Sequence, residues 1–418
     1  MNPKDLVDAL LRVQGECVLL GRLHALRLLA EQSLEDRLVI AASAVAYFDG
    51  ASEVGGFLSR YAGTPAPLIA WREEDHPEKV GLLSAGEVDK PLLEQRIERG
   101  QRGALVTLAE VGRATRGVEV LAPWHDFARR TSALFGPAEV CEARSEQLPE
   151  AARPASRTPT KVLQGPQSTP LDPVFRCTYS ILDSDPPKHG DTLQDTVPHM
   201  WVLASREALA AELAALCLIE WDNLPLPFYL DFAKQMWDEA RHAVFYLNAA
   251  VSLLPDLAAE LPPGHPLLDD IRAFREEGTG LPIPREGNLY EAMLNATLTE
   301  RLVIMHHDTE TPGVAALEEQ INSTLWVRRP QIAAGIAIVQ MDERTHARLG
   351  HRWLKHLLPD RHELEEAIQN ARLMRTMLLL TSCAHHGQQP YAALVSQVLA
   401  KKSRFQRVPR DTGAKVPY

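Results

Sequence analysis

Apolar residues recur along two long stretches of this chain at the three- and four-residue spacing of an amphipathic helix. In the first stretch, Leu6, Leu10, Val13, Cys17, Leu20 and Leu23 predict a helix over 5–31. Ser33 with Asp36 predicts a cap that opens a second helix running through Tyr47. Gly50, Gly55 and Gly56 predict a break after it, and a further helix is expected over 90–115, interrupted near Gly100 and Gly103. Between 149 and 190, Pro149, Pro154, Pro159, Pro166, Pro170, Pro173, Pro186 and Pro187 disfavour any long regular element. This part reads as an extended connector with a short ordered piece over 175–182.

From His199 the helical period strengthens, and four long segments are expected. The first covers 199–221 and stops at Asp222-Asn223-Leu224-Pro225-Leu226-Pro227; the second, over 227–253, should return antiparallel to it. Pro255 and Pro262-Pro263-Gly264 open a longer crossing through Pro284. The third segment covers 286–308 and ends before Pro312-Gly313. The fourth extends to Leu357 with an irregularity at Pro330, and stops at Pro359. Helices over 363–380 and 390–401 should pack outside. The expected fold class is all-α, with a mostly helical N-terminal domain at 1–148, a Pro-rich connector at 149–194, a four-helix bundle at 195–358, and C-terminal helices with a basic tail at 359–418.

Composition narrows the function. With 418 residues, 45% hydrophobic and 24% charged, the chain can bury a large core. Its formal net charge of -11 gives no global attraction to nucleic acid or anionic membrane. Cys17, Cys141, Cys177, Cys217 and Cys383 form no C-x-x-C pair, which disfavours a disulfide framework, a zinc ribbon or a rubredoxin-like site. A reducing, cytoplasmic setting is expected. MNPKDLVDALL carries an acid within its apolar stretch, unlike a signal peptide. The run from Leu38 to Phe48 is short for a membrane span. Walker and G-x-S-x-G motifs are absent from the sequence.

The chemistry-bearing pattern is a repeated D-E-x-x-H. The second segment contains Asp238-Glu239-Ala240-Arg241-His242, and the fourth contains Asp342-Glu343-Arg344-Thr345-His346. Residues i and i+3 share a helix face, so each Glu and His can bind one metal ion together. Stepping by heptads from the first motif reaches Phe228, Phe232, Gln235 and Tyr246; from the second it reaches Ile336, Val339, Gly350, Trp353 and Leu357. Both pairs therefore sit on apolar, inward faces, where unpaired carboxylates are costly and a metal is the simplest partner. Glu73 and His76 share the spacing but lie in a polar stretch stopped by proline. Carboxylate with imidazole suits iron or manganese.

Two more ligands are expected from the other segments. The heptad Leu289, Met293, Ala296, Glu300, Val303, His307 selects Glu300 over Glu291. In the first segment the candidates are Glu207, Glu212 and Glu220; counting from the turn selects Glu212, with Glu220 next. Asp238 and Asp342 are placed to accept the second N–H of a ligand histidine on the opposing helix.

The DEARH and DERTH strings resemble the ferritin-like di-iron carboxylate superfamily. HMWVLASREALAAEL and the hairpin into DEARH look most similar to a bacterial ferritin-like domain family within it. The resemblance covers roughly residues 195–357 and carries over onto Glu212, Glu239, His242, Glu300, Glu343 and His346. Thr345 stands where arginine is common, which removes one outer group. The resemblance implies two iron ions (or manganese) and an O2-dependent oxygenase, hydroxylase or N-oxygenase acting on a small-molecule substrate. It implies an external reductase as electron donor, with a homodimer as the candidate assembly. The alternatives are a ferroxidase or peroxide-scavenging protein and a metal-free helical scaffold. No nucleic acid or membrane partner is expected.

Overall fold

The computed structural model describes residues 3–63, 82–84, 87–116, 122–135, 160–161, 172–180, 188–222, 224–285 and 296–384. The expectations for Glu73 and His76, for Glu291, for a helix over 390–401 and for the basic tail lie outside these residues. The described chain is all-α apart from short strands. It divides into two compact units, one of residues 1–164 with 214–240, the other of 165–213 with 241–418. Two helices, α5 and α6 below, run uninterrupted through the division.

In the first unit, α1 (Pro3–Ala30) packs on α2 (Leu34–Ala62) and α3 (Lys90–Thr115), and α3 packs on α4 (Ala122–Ser132). Ser33 caps α2 by accepting the Asp36 N–H, and Asp89 caps α3 by accepting the Leu92 N–H at 3.0 Å. The expected breaks in α2 and α3 do not occur. The glycines serve close packing instead: a β-carbon at Gly50 would overlap the Leu134 side chain, and one at Gly100 would sit 3.0 Å from Leu20. Leu10, Val13, Leu20, Phe48, Val54, Leu93 and Leu108 fill the core. By length and composition α2 could cross a membrane, but half of its most apolar window is buried within the protein. Three two-residue strands, β1 (Leu83–Ser84), β2 (Glu87–Val88) and β3 (Thr160–Lys161), form a small antiparallel sheet.

Arg22, fully buried on α1, gives its guanidinium to the Asp222 carboxylate at 2.7 Å and to the Ile219 carbonyl at 2.8 Å. It also lies over the Tyr229 ring. The charge thereby meets the last carbonyls of α5 (Leu193–Glu220), where a cation is favoured.

In the second unit, β4 (Phe175–Ser180) pairs in parallel with β5 (Leu281–Arg285), and the Trp201 indole N–H donates to the Pro282 carbonyl at 2.8 Å, tying β5 to α5. Helix α6 (Leu226–Glu260) runs through Pro255 rather than ending before it, and α7 (Pro266–Glu277) follows. The third segment also runs on past Pro312: α8 (Leu298–Leu302), a π-helix (Val303–Glu310) and α9 (Thr311–Ile321) are continuous. Proline is tolerated there because it falls where the hydrogen-bond frame changes; the Thr311 N–H still reaches the His306 carbonyl. The break comes later, at Asn322–Arg329, and Pro330 opens α10 (Pro330–Leu357), a position where its missing N–H is harmless. Helix α10 packs on α9, the π-helix and α8, and α11 (Arg361–Ala384) packs on α8 and the π-helix.

Candidate metal centre

The apolar stripes deliver both motifs to buried positions. On α6, Phe228, Phe232, Gln235, Glu239, His242 and Tyr246 are all within 1% of full burial. On α10, Ile336, Val339, Glu343, His346 and Trp353 are buried, while Arg344 and Thr345 on the opposite face are exposed. Charged groups on an otherwise apolar face need partners, and these find one another.

Two groups of potential ligands result. Glu207, Glu239, His242 and Glu343 form the first; Glu239, Glu310, Glu343 and His346 form the second. In each, one donor atom per residue lies within 4.8 Å of all the others. Glu239 and Glu343 belong to both. Each group adds one histidine and one further glutamate of its own.

The contacts within this cluster are specific. His242 turns Nδ1 inward, 3.3 Å from Glu343 Oε1 and 4.0 Å from Glu207 Oε2. Its Nε2 lies 3.1 Å from Asp342, which also accepts from Arg241 at 2.6 Å. Asp342 thus fixes the imidazole and is itself fixed. Burial raises the Asp342 pKa, but the bonds from His242 and Arg241 outweigh it and hold the group below its ordinary value. His346 Nδ1 lies 3.3 Å from Glu343 Oε2. Gln235 donates to Glu239 Oε1 at 3.1 Å.

Glu343 stands at the centre. Burial pushes its pKa up, yet hydrogen bonds from Glu310, His242 and His346 hold it well below the usual carboxylate range.

The sequence-predicted ligands Glu239, His242, Glu343 and His346 come together here, and Asp342 sits on His242. Asp238 is half-buried, one residue before Glu239. Glu212 and Glu300 are in neither group. Glu212 is buried, but five residues along α5 place it about 140° around the helix from Glu207. Glu220 is exposed at the end of α5. Glu300 closes a capping box: its carboxylate accepts the Thr297 N–H at 2.7 Å, and Thr297 Oγ1 accepts the Glu300 N–H.

Glu207 and Glu310 take those two places, and both left a trace in the sequence. Glu207 lies 13 residues before the end of α5 at Glu220, and Glu239 lies 13 after the start of α6 at Leu226, so the two sit level across the hairpin. Glu310 continues the stripe of Val303 and His307 by one step, beyond the point where Pro312 suggested a stop. His306 is buried against Gly350, and His307 and Asp308 form an exposed cluster with Arg372.

The donor set fits two divalent cations. Its four carboxylates balance their charge, and both imidazoles can present a ring nitrogen. A first-row ion sits about 2.1 Å from each ligand, so donors up to 4.8 Å apart close on it with small side-chain shifts. No family model, no curated protein and no solved structure matches this chain.

Proposed function

We propose that α5, α6, the Leu298–Ile321 helix and α10 form a ferritin-like four-helix bundle that holds two iron ions, manganese being the second choice, and serves an O2-dependent oxidoreductase. The observation that carries this reading is the pair of ligand groups sharing Glu239 and Glu343. Two neighbouring sites joined by common carboxylates are what a two-ion reaction requires, and a structural single-ion site needs no such sharing. Bound ferrous ions would supply the electrons with which O2 is activated.

The chain's own residues have definable parts. Glu239 and Glu343, common to both groups, would help to hold both ions. Glu207 with His242, and Glu310 with His346, would complete one site each. Asp342 lies on His242 Nε2, so Nδ1, which faces Glu343 and Glu207, is the atom that would ligate. Gln235 orients Glu239. The apolar neighbours Phe228, Phe232, Ile336 and Val339 exclude water from the centre. The substrate is a small molecule, hydroxylated, desaturated or N-oxygenated, and the electrons come from a separate reductase in the cytoplasm.

The test is metal content with anomalous scattering at the iron and manganese edges. Two ions per chain beside Glu239 and Glu343 are expected, with both lost in Glu343→Ala. Protein purified from iron-supplemented cells that contains no metal would overturn the reading.

A further inference from the structure

The hydroxyl of one buried residue close to the first ligand group has no hydrogen-bond partner among the described residues. Tyr246 lies one helical turn after His242 on α6 and is fully buried. Its hydroxyl makes no hydrogen bond with any described residue. Buried hydroxyls ordinarily find an acceptor, because stranding one forfeits its bond to water. The other fully buried tyrosine of this helix follows that rule: Tyr229 donates to the Trp221 carbonyl at 2.7 Å.

The surroundings of Tyr246 are not neutral. Burial raises its pKa first, and the carboxylates of Glu207 and Glu343 raise it further. Both acids belong to the first ligand group. The phenol is therefore a protonated donor held against an anionic pocket. Its place in the heptad stripe, after Glu239 and His242, directs it to the same face as the ligands.

We propose that Tyr246 is a positioning residue whose O–H donates to a solvent-sized ligand (water, hydroxide or a small anion) bound at the metal position of the Glu207–Glu239–His242–Glu343 group. The inference rests on the two-metal reading and adds to it where an exogenous ligand binds. Because Glu207 belongs to the first group alone, its influence on Tyr246 assigns that ligand to the Glu207 side. The phenol's hydrogen bond then orients that ligand and favours its anionic form, because an O–H donor stabilises a negative oxygen or nitrogen more than a neutral one.

The test compares full-length wild type with Tyr246→Phe, using Tyr229→Phe as control. Thermal unfolding is followed without metal and with Mn(II), and azide binding is followed by absorption on the ferric-loaded protein. Without metal, Tyr246→Phe should unfold at the wild-type temperature or above, since it removes a stranded hydroxyl; Tyr229→Phe should unfold lower. With metal, Tyr246→Phe should keep two ions but gain less thermal stabilisation, and its azide affinity should fall about tenfold. A variant that loses the same stability with and without metal, or that fails to fold, marks Tyr246 as purely structural and overturns the proposal. So does an unchanged azide affinity in a fully loaded variant, with the two-metal reading left intact. A wild type that gains no stability from Mn(II) and takes up no iron overturns both.

Discussion

Glu207 and Glu212 stand five residues apart on α5, and they part company by rotation alone. Glu207 comes within 4.0 Å of His242, whereas Glu212 is turned about 140° away. Glu207→Ala is expected to reduce the metal content from two ions to one, while Glu212→Gln keeps both. Elemental analysis of the purified variants decides this, and an equal loss in both would remove Glu207 from the ligand set. A different buried residue gives a prediction about pH. His24 on α1 stacks on Tyr47, and neither of its ring nitrogens has a hydrogen-bond partner among the described residues. Burial, helped by Arg27, lowers its pKa from 6.5 to about 4. The unfolded chain therefore binds a proton at a pH where the folded chain does not. His24 imposes no penalty above pH 6.5, and stability is lost as the pH falls from there towards 4. The full shift is worth on the order of 3 kcal/mol. His24→Phe should flatten the dependence of unfolding temperature on pH between 6.5 and 4.5; an unchanged slope would show that His24 does not control it.

At the scale of elements, the centre depends on how closely α10 approaches the π-helix. Gly350 lies one turn beyond His346, and a β-carbon there would overlap the His306 side chain. Gly335, nearer the start of α10, is covered in the same way by the Phe245 ring, so the small residues there let helices approach. Gly350→Ala should cost about 1–3 kcal/mol by overpacking, and because Glu310 ends the π-helix it should also lower metal occupancy. Chemical denaturation and metal analysis measure the two effects. A variant as stable as wild type would mean that the π-helix yields without consequence. The π-helix also carries the third segment past Pro312, where a stop is expected, to Ile321. Its proline marks a change of hydrogen-bond frame within a continuous helix.

At the scale of the molecule, the two units have different characters. The first buries Arg22, Arg37, His24 and Gln14 in a mainly aliphatic core, and its polar groups serve the fold: Arg22 meets the end of α5, and Arg37 donates to the Glu31 carbonyl. The second carries the histidines and most of the carboxylates of the ligand groups. Much of the chain thus lies outside the helices that contribute ligands, which disfavours a closed storage cage. Native mass measurement should find a monomer or dimer; a 12- or 24-subunit shell would redirect the functional reading towards iron storage.

The helical class, the start of α2 and α3, the inward faces of α6 and α10, and the four motif residues were all legible in the sequence. These depend on local spacing: a 3.6-residue period and an i, i+3 pair put side chains on a known face whatever surrounds them. Tertiary structure decided what local spacing cannot. It determined that Gly50 and Gly100 let neighbours approach without interrupting their helices, and that Pro255 and Pro312 lie within helices. It also drew Glu300 into a capping box and brought Glu207 and Glu310 to the histidines. Which carboxylate on a helix meets a ligand on another depends on where the turn closes and how the hydrogen-bond frame shifts. Both are set by packing between elements far apart in the chain.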